Sequence, residues 1–127
     1  MKETVSHLAR RIWTQLGPGF SERVYHNAME VGLRRLGLPY QTERIVPITF
    51  DEHVIGNIRA DLIVNSRLLV ELKSVRALKE EHRVQTLMYM KLLDLPEGLL
   101  VNFPSGGDVL EVEEFSRSLC TPNQAPL

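Results

Sequence analysis

The stretch VIGNIRADLIV, residues 54 to 64, carries Val54, Gly56, Ile58, Ala60, Leu62 and Val64 at every second position without a break. Side chains repeat with a period of two along an extended strand and not along a helix. Leu68, Val70 and Leu72 take up the same alternation after the polar Asn65-Ser66-Arg67. The two arms therefore predict an antiparallel hairpin closed by a three-residue turn.

The buried set also fixes the register, because a one-residue slip turns every side chain to the other face. Pairing Ala60 with Leu72, Leu62 with Val70 and Val64 with Leu68 gathers six apolar residues on one face. The opposite face then carries Arg59, Asp61, Glu71 and Lys73, with Asp61 across from Glu71 and Arg59 across from Lys73. A charge patch built for stability sets acid across from base, whereas here like faces like. Opposed Cβ atoms lie about 5 Å apart. Two carboxylates at that distance repel by roughly 3 kcal/mol at an effective dielectric near 20. Diagonal attraction to Arg59 and Lys73 recovers part of this, and a divalent cation between the acids removes it. The residues by themselves leave two readings open, a structural charge patch and a metal site.

Around the hairpin, Val5, Leu8, Ile12 and Leu16 recur at helical spacing, with Ala9 and Trp13 beside them. Gly17-Pro18-Gly19 ends that helix. Ser21 is placed to cap a second helix that runs to about Leu36 and stops at Gly37. Its apolar positions are Val24, Ala28 and Val31, with Tyr25, Met29 and Leu36. Residues 40 to 50 read as extended, and Pro47 makes this an edge strand or a bulged one. Asp51-Glu52-His53 reads as a turn. A third helix is predicted over residues 78 to 93, with Val84, Leu87, Met88 and Leu92 packing the core. Residues 98 to 103 read as a buried strand, 104 to 108 as a loop and 109 to 115 as a last strand. The order α-α-β-β-β-α-β-β predicts an α/β chain built on a mixed sheet. Residues 1 to 120 are expected to form one domain, and the tail from 121 to 127 is expected to be disordered.

A chain of 127 residues suits one core. No run approaches the 18 or so apolar residues that a membrane helix needs. The start, MKETVSHLARRI, has no apolar segment of the kind a secretory signal carries. Cys120 stands alone, which excludes a disulfide scaffold and a Cys-rich metal site within one chain. A reducing cytoplasm is the expected location. The net charge of −1 argues against a uniformly basic nucleic-acid binder. From Asp94 onward six acids face only Arg117, so 14 basic and 10 acidic residues precede them, a balance of +4. A local basic face and an ordinary mixed surface both fit that distribution.

Asp61, followed across the hairpin by Glu71-Leu72-Lys73, resembles the PD-(D/E)XK nuclease superfamily. GFSERVY, Gly19 to Tyr25, matches the G-x-x-E-x-x-Y motif that names a family of small proteins within it. The ordered set LGPG, E, Y, RADL, VELK, Q and Y runs from about Leu16 to Phe103. Ala60 departs from the pattern, standing where the superfamily's label has proline. The resemblance implies a restriction-endonuclease-like core, a central mixed sheet flanked by helices. It implies a metal-dependent phosphodiester hydrolase using Mg²⁺ or Mn²⁺ and acting on nucleic acid, DNA ahead of RNA.

The roles follow from that resemblance and from donor chemistry. Asp61 and Glu71 are hard oxygen ligands suited to Mg²⁺. In this superfamily the position of Leu72 adds its backbone carbonyl. Lys73, on the same face as Glu71, is suited to orient or deprotonate a water and to offset developing charge. Glu22 has two readings: a favourable acid at a helix N-terminus, and a carboxylate reaching the metal. Tyr25, one turn on, is expected to pack or hydrogen-bond beside the site or to touch phosphate. Gln85 and Tyr89, at i and i+4, resemble the Q-x-x-x-Y element that places substrate near the metal, and His82 before them reads as a surface histidine. Arg59, Arg76, Lys79 and Arg83 are candidate phosphate contacts. The competing readings are a non-catalytic nucleic-acid-binding or assembly module of the same fold, and a structural domain with a charged hairpin. A domain this small encloses little duplex, which makes a homodimer a candidate assembly.

Overall fold

The computed structural model describes residues 1–107 and 109–117. The expected tail, residues 121 to 127, lies outside them, as do Asp108 and Cys120. Three helices and five strands follow the anticipated order: α1 Lys2–Leu16, α2 Glu22–Arg35, β1 Tyr40–Phe50, β2 His53–Val64, β3 Leu68–Lys73, α3 Glu80–Leu93, β4 Glu97–Asn102 and β5 Glu111–Ser116. The strands form one sheet in sequence order. All neighbours are antiparallel except β3 and β4, whose parallel pairing is bridged by α3. The sheet is therefore mixed, as parallel neighbours joined by a helical crossover require. Among the described residues no helix is long and apolar enough to cross a membrane.

The hairpin register is the predicted one near the turn, where Leu62 pairs with Val70 and Val64 with Leu68, but the expected pairs Ala60–Leu72, Asp61–Glu71 and Arg59–Lys73 do not form, because the ladder stops at Leu62 and Val70. Asn65 and Ser66 both take left-handed backbone conformations in the turn. Asn is a residue type that bears this at modest cost. The β1–β2 turn is tighter than expected. It uses Asp51 and Glu52 alone, because His53 already pairs with Phe50. Pro47 sits in β1, the sheet's edge, and a register shift follows at Ile48 and Thr49.

Two cores flank the sheet. On one face Leu62, Val64, Leu68, Val70 and Leu72 pack with α1 and α2. On the other, Ile63 and Leu69 pack with Tyr89 and Met90 of α3. Ala60 joins this second cluster, with Ile58, rather than the face it was expected to share with Leu62. Beyond Leu62 the strand has lost β3 as a neighbour and continues with β1 alone. A two-stranded ribbon twists more strongly than a sheet interior, which turns this end of β2 toward α3.

The two later helices depart from the expected stripes, α2 in part, since Tyr25 and Met29 are buried as expected, and α3 wholly. In α2 the buried residues are Tyr25, His26, Met29, Gly32 and Leu33, while Val24, Val31 and Leu36 are exposed. In α3 the buried residues are Thr86, Tyr89 and Met90, and Val84, Leu87, Met88 and Leu92 face outward. Thr86 makes this orientation tolerable, because its hydroxyl donates to the His82 carbonyl at 2.9 Å. Gly98 in β4 does the rest: a Cβ there would come within 2.6 Å of the Met90 sulfur.

Candidate active site

The sheet forks where the two acids stand. The β2–β3 ladder ends at Leu62 and Val70, while β3 stays paired to β4 as far as Lys73. At the fork, side chains replace ladder bonds. The Asp61 N–H donates to Glu71 Oε2 at 2.9 Å, and the Leu72 N–H donates to Asp61 Oδ2 at 2.8 Å. Each carboxylate thus holds the opposite strand and keeps a second oxygen for another partner. The Lys73 carbonyl accepts from the Phe103 N–H on the β4 side, at 2.9 Å. Backbone groups of successive strand residues point to opposite sides, so the Leu72 carbonyl faces the fork.

Glu71 is almost completely buried, and burial, followed by the adjacent Asp61 charge, pushes its pKa up to about 8. Burial also raises Asp61 above the usual carboxylate range, against the pull of its bond from Leu72. Glu22 stands at the exposed rim with its carboxylate partly desolvated. That desolvation, and then the Asp61 charge, raises its pKa, while Lys73 pulls the other way. No side chain caps α2, so Glu22 supplies the acid of its first turn. Lys73 donates from Nζ to Gln85 Oε1 at 2.9 Å, and the Gln85 amide donates to the Tyr89 hydroxyl at 3.4 Å. Burial, and then the charges of Glu71 and Asp61, raises the pKa of Tyr89. Asp61, Glu71, Lys73, Gln85, Tyr89 and Glu22 therefore share one electrostatic neighbourhood.

Other expected site residues lie elsewhere or are engaged. Tyr25 is buried, so it has no access to a phosphate. Its hydroxyl donates to the Gly17 carbonyl at 2.6 Å and accepts from the Phe20 N–H, and its ring stacks on Phe103 at 4.5 Å. It ties the Gly17–Gly19 turn to the core. Arg83 is held by Glu113 of β5 through two bonds, at 2.7 and 2.8 Å. Arg59 remains exposed beside the site, 3.9 Å from Glu43. Arg76 and Lys79 are exposed on the segment between β3 and α3. His82 accepts from the Lys79 N–H at 2.9 Å and so serves the start of α3.

Three residues near the site escaped the sequence reading. His26 is buried, with Nε2 between Glu30, at 3.0 Å, and Thr42, at 2.9 Å, and it acts electrostatically on Asp61 and Glu22. Its i, i+4 spacing from Glu22 and to Glu30 was the available signal. Glu43, in a left-handed conformation, pairs with Arg23. Asn102 is buried at the end of β4 and holds both backbone groups of Val75.

Among the described residues no three His, Cys, Asp or Glu side chains form a ready-made metal cluster. The donors that do converge are the two carboxylates and the Leu72 carbonyl, all hard oxygens. Two facing acids, both raised by burial and Glu71 further by the Asp61 charge, fit an oxygen-seeking divalent cation.

The family model of the PD-(D/E)XK nuclease superfamily matches residues 1–115. Among solved structures, a crystal structure of SSO0001 is similar, with a TM-score of 0.56 and 24% identity over 75% of this chain and 50% of that one. Likeness at this identity speaks to the fold alone, and the chain spans about half the length of that neighbour. No curated protein matches the sequence. The mixed five-stranded sheet with its three helices is the restriction-endonuclease-like α/β fold.

Proposed function

The chain belongs to the PD-(D/E)XK nuclease superfamily, and from that premise we propose that it is a metal-dependent nuclease, cleaving DNA ahead of RNA with Mg²⁺ or Mn²⁺ at the fork. The observation that carries the proposal is the crossed pair: Asp61 and Glu71 each bound to the other strand's backbone, with Lys73 beside them. The G-x-x-E-x-x-Y motif at Gly19 to Tyr25 places the chain, in this reading, in the family of that name, working in the cytoplasm as one domain over residues 1 to 120.

In this reading Asp61, Glu71 and the Leu72 carbonyl would hold the cation, with Glu22 at the rim as a further carboxylate. The cation supplies Lewis acidity toward the scissile phosphate and an acidified water. Lys73, steered by Gln85, presents its ammonium to the reacting phosphate and offsets charge that grows only in the transition state. Tyr89 sits behind Gln85 and limits its rotation. Arg59 and Arg76, both exposed, meet backbone phosphates.

The test combines calorimetry with Mn²⁺ and a substrate panel of single-stranded, duplex and branched DNA and RNA. Asp61→Asn or Glu71→Gln abolishes metal binding and cleavage. Lys73→Met retains metal and slows cleavage by about 10²-fold or more, the scale of a lost acid–base or electrostatic group. Metal binding without cleavage of any substrate favours a binding module of nuclease fold. A folded wild type that binds no metal overturns the proposal.

A further inference from the structure

Among the described residues, only one side of α3 packs against the sheet. Thr86, Tyr89 and Met90 turn to the sheet, while Val84, Leu87, Met88 and Leu92 stand outward, 47% to 54% exposed. Isolated apolar residues on a surface need no explanation, but four large ones on one helix face mark a contact. The ends of that face carry opposite charges, Glu81 in the first turn and Lys91 in the last. Among the described residues neither forms an ion pair.

We propose that a second copy of this chain covers this face, its α3 lying antiparallel to the first about a two-fold axis. Glu81 and Lys91 lie ten residues apart, about 15 Å along the helix. The two-fold that sets Lys91 beside the partner's Glu81 also sets Val84 beside the partner's Met88, with Leu87 near the axis. One registration therefore covers the apolar ridge and makes two ion pairs, as an isologous interface requires. A parallel copy would set acid beside acid and base beside base. A partner of single charge would match one end and oppose the other.

The contact has room to extend beyond the helix. Past Leu62 the β1–β2 hairpin runs on without β3, and Val46 and Ile48 on this arm pack against the α3 cluster. A two-stranded arm is marginal in water without cover. One helix face falls short of the roughly 800 Å² per partner of a stable interface. The arm lies on the α3 side and supplies adjoining surface. Gln85 is engaged with Lys73 and Tyr89 at the fork, and neither Gln85 nor Tyr89 belongs to this apolar face.

The proposal is independent of the nuclease reading, and its test needs no substrate. Sedimentation equilibrium on the wild type shows a dimer. Met88→Glu and Leu87→Glu shift it to monomer with an unchanged far-ultraviolet circular dichroism spectrum. Lys91→Glu raises the dimer Kd about tenfold, since two exposed pairs are lost and two repulsions replace them. The exchange Glu81→Lys with Lys91→Glu restores the dimer. A wild type that is monomeric up to high micromolar concentration overturns the proposal, as does a dimer that survives Met88→Glu. A charge exchange that restores nothing overturns the antiparallel registration. None of these outcomes bears on metal binding or cleavage.

Discussion

Glu71 carries the sharpest chemical tension in the molecule. Its carboxyl is nearly sealed from solvent beside Asp61, so in the metal-free protein it keeps its proton up to about pH 8. A cation at the fork must displace that proton. Affinity for Mn²⁺ should therefore climb with pH and level off above about 8. Below that pH binding should release close to one proton from this pair. Calorimetry in buffers of different ionisation enthalpy reads the release directly, and a pH-independent affinity between 6 and 9 would refute the assignment of Glu71 as a ligand. That both acids share a face was legible, because strand alternation fixes side-chain direction from local sequence. The fate of Tyr25 was not. Its burial depends on stacking against Phe103, a partner far along the chain that no local pattern identifies.

At the scale of elements, the site exists because β3 parts from β2 while staying with β4. The segment leaving β3 must then be fixed, since it joins Lys73 to the helix that bears Gln85. Asn102 fixes it, accepting from the Val75 N–H at 2.9 Å and donating to the Val75 carbonyl at 3.0 Å. Its amide also donates to Glu111 Oε1, which accepts in turn from the Leu78 N–H. Asn102→Ala leaves these buried groups unsatisfied, at a cost of about 1–3 kcal/mol. Chemical denaturation should show that loss, and hydrogen exchange should quicken at Val75 and Leu78. Unchanged exchange there would mean the segment is held by other contacts. Strand and helix order was readable from periodicity, as was the face that α1 buries, but the face of α3 was not, and that of α2 only at Tyr25 and Met29. In α3 the apolar positions 84, 87, 88 and 92 form the cleaner amphipathic stripe, yet Thr86 lies inward because its hydroxyl is satisfied within the helix. Composition along a helix names a stripe, and only packing decides what that stripe meets.

For the whole molecule the consequence is a conflict between fold stability and the site. The residues of the fork come from β2 and β3, with Glu22 from α2, so they converge only in the folded chain. Glu71 has an ordinary pKa of 4.5 that folding raises to about 8. Below pH 4.5 both states are protonated and this group costs the fold nothing. Between 4.5 and 8 the folded state keeps a proton that the unfolded state releases, so stability falls as pH rises, by roughly 1 kcal/mol per pH unit from this group. Above 8 the loss is complete and the curve flattens. Glu71→Gln removes the ionisation while keeping an amide oxygen to accept from the Asp61 N–H. The metal-free variant should therefore match the wild type near pH 4.5 and exceed it increasingly toward pH 8. Mn²⁺ binds the folded state alone, so at a hundredfold excess over Kd it should stabilise the wild type by about 2.7 kcal/mol and leave the variant unmoved. Thermal denaturation across that pH range, with and without Mn²⁺, reads both effects. A Glu71→Gln protein less stable than the wild type at pH 8 without metal would show that the buried carboxylate is satisfied by the fold itself and is not held ready for a cation.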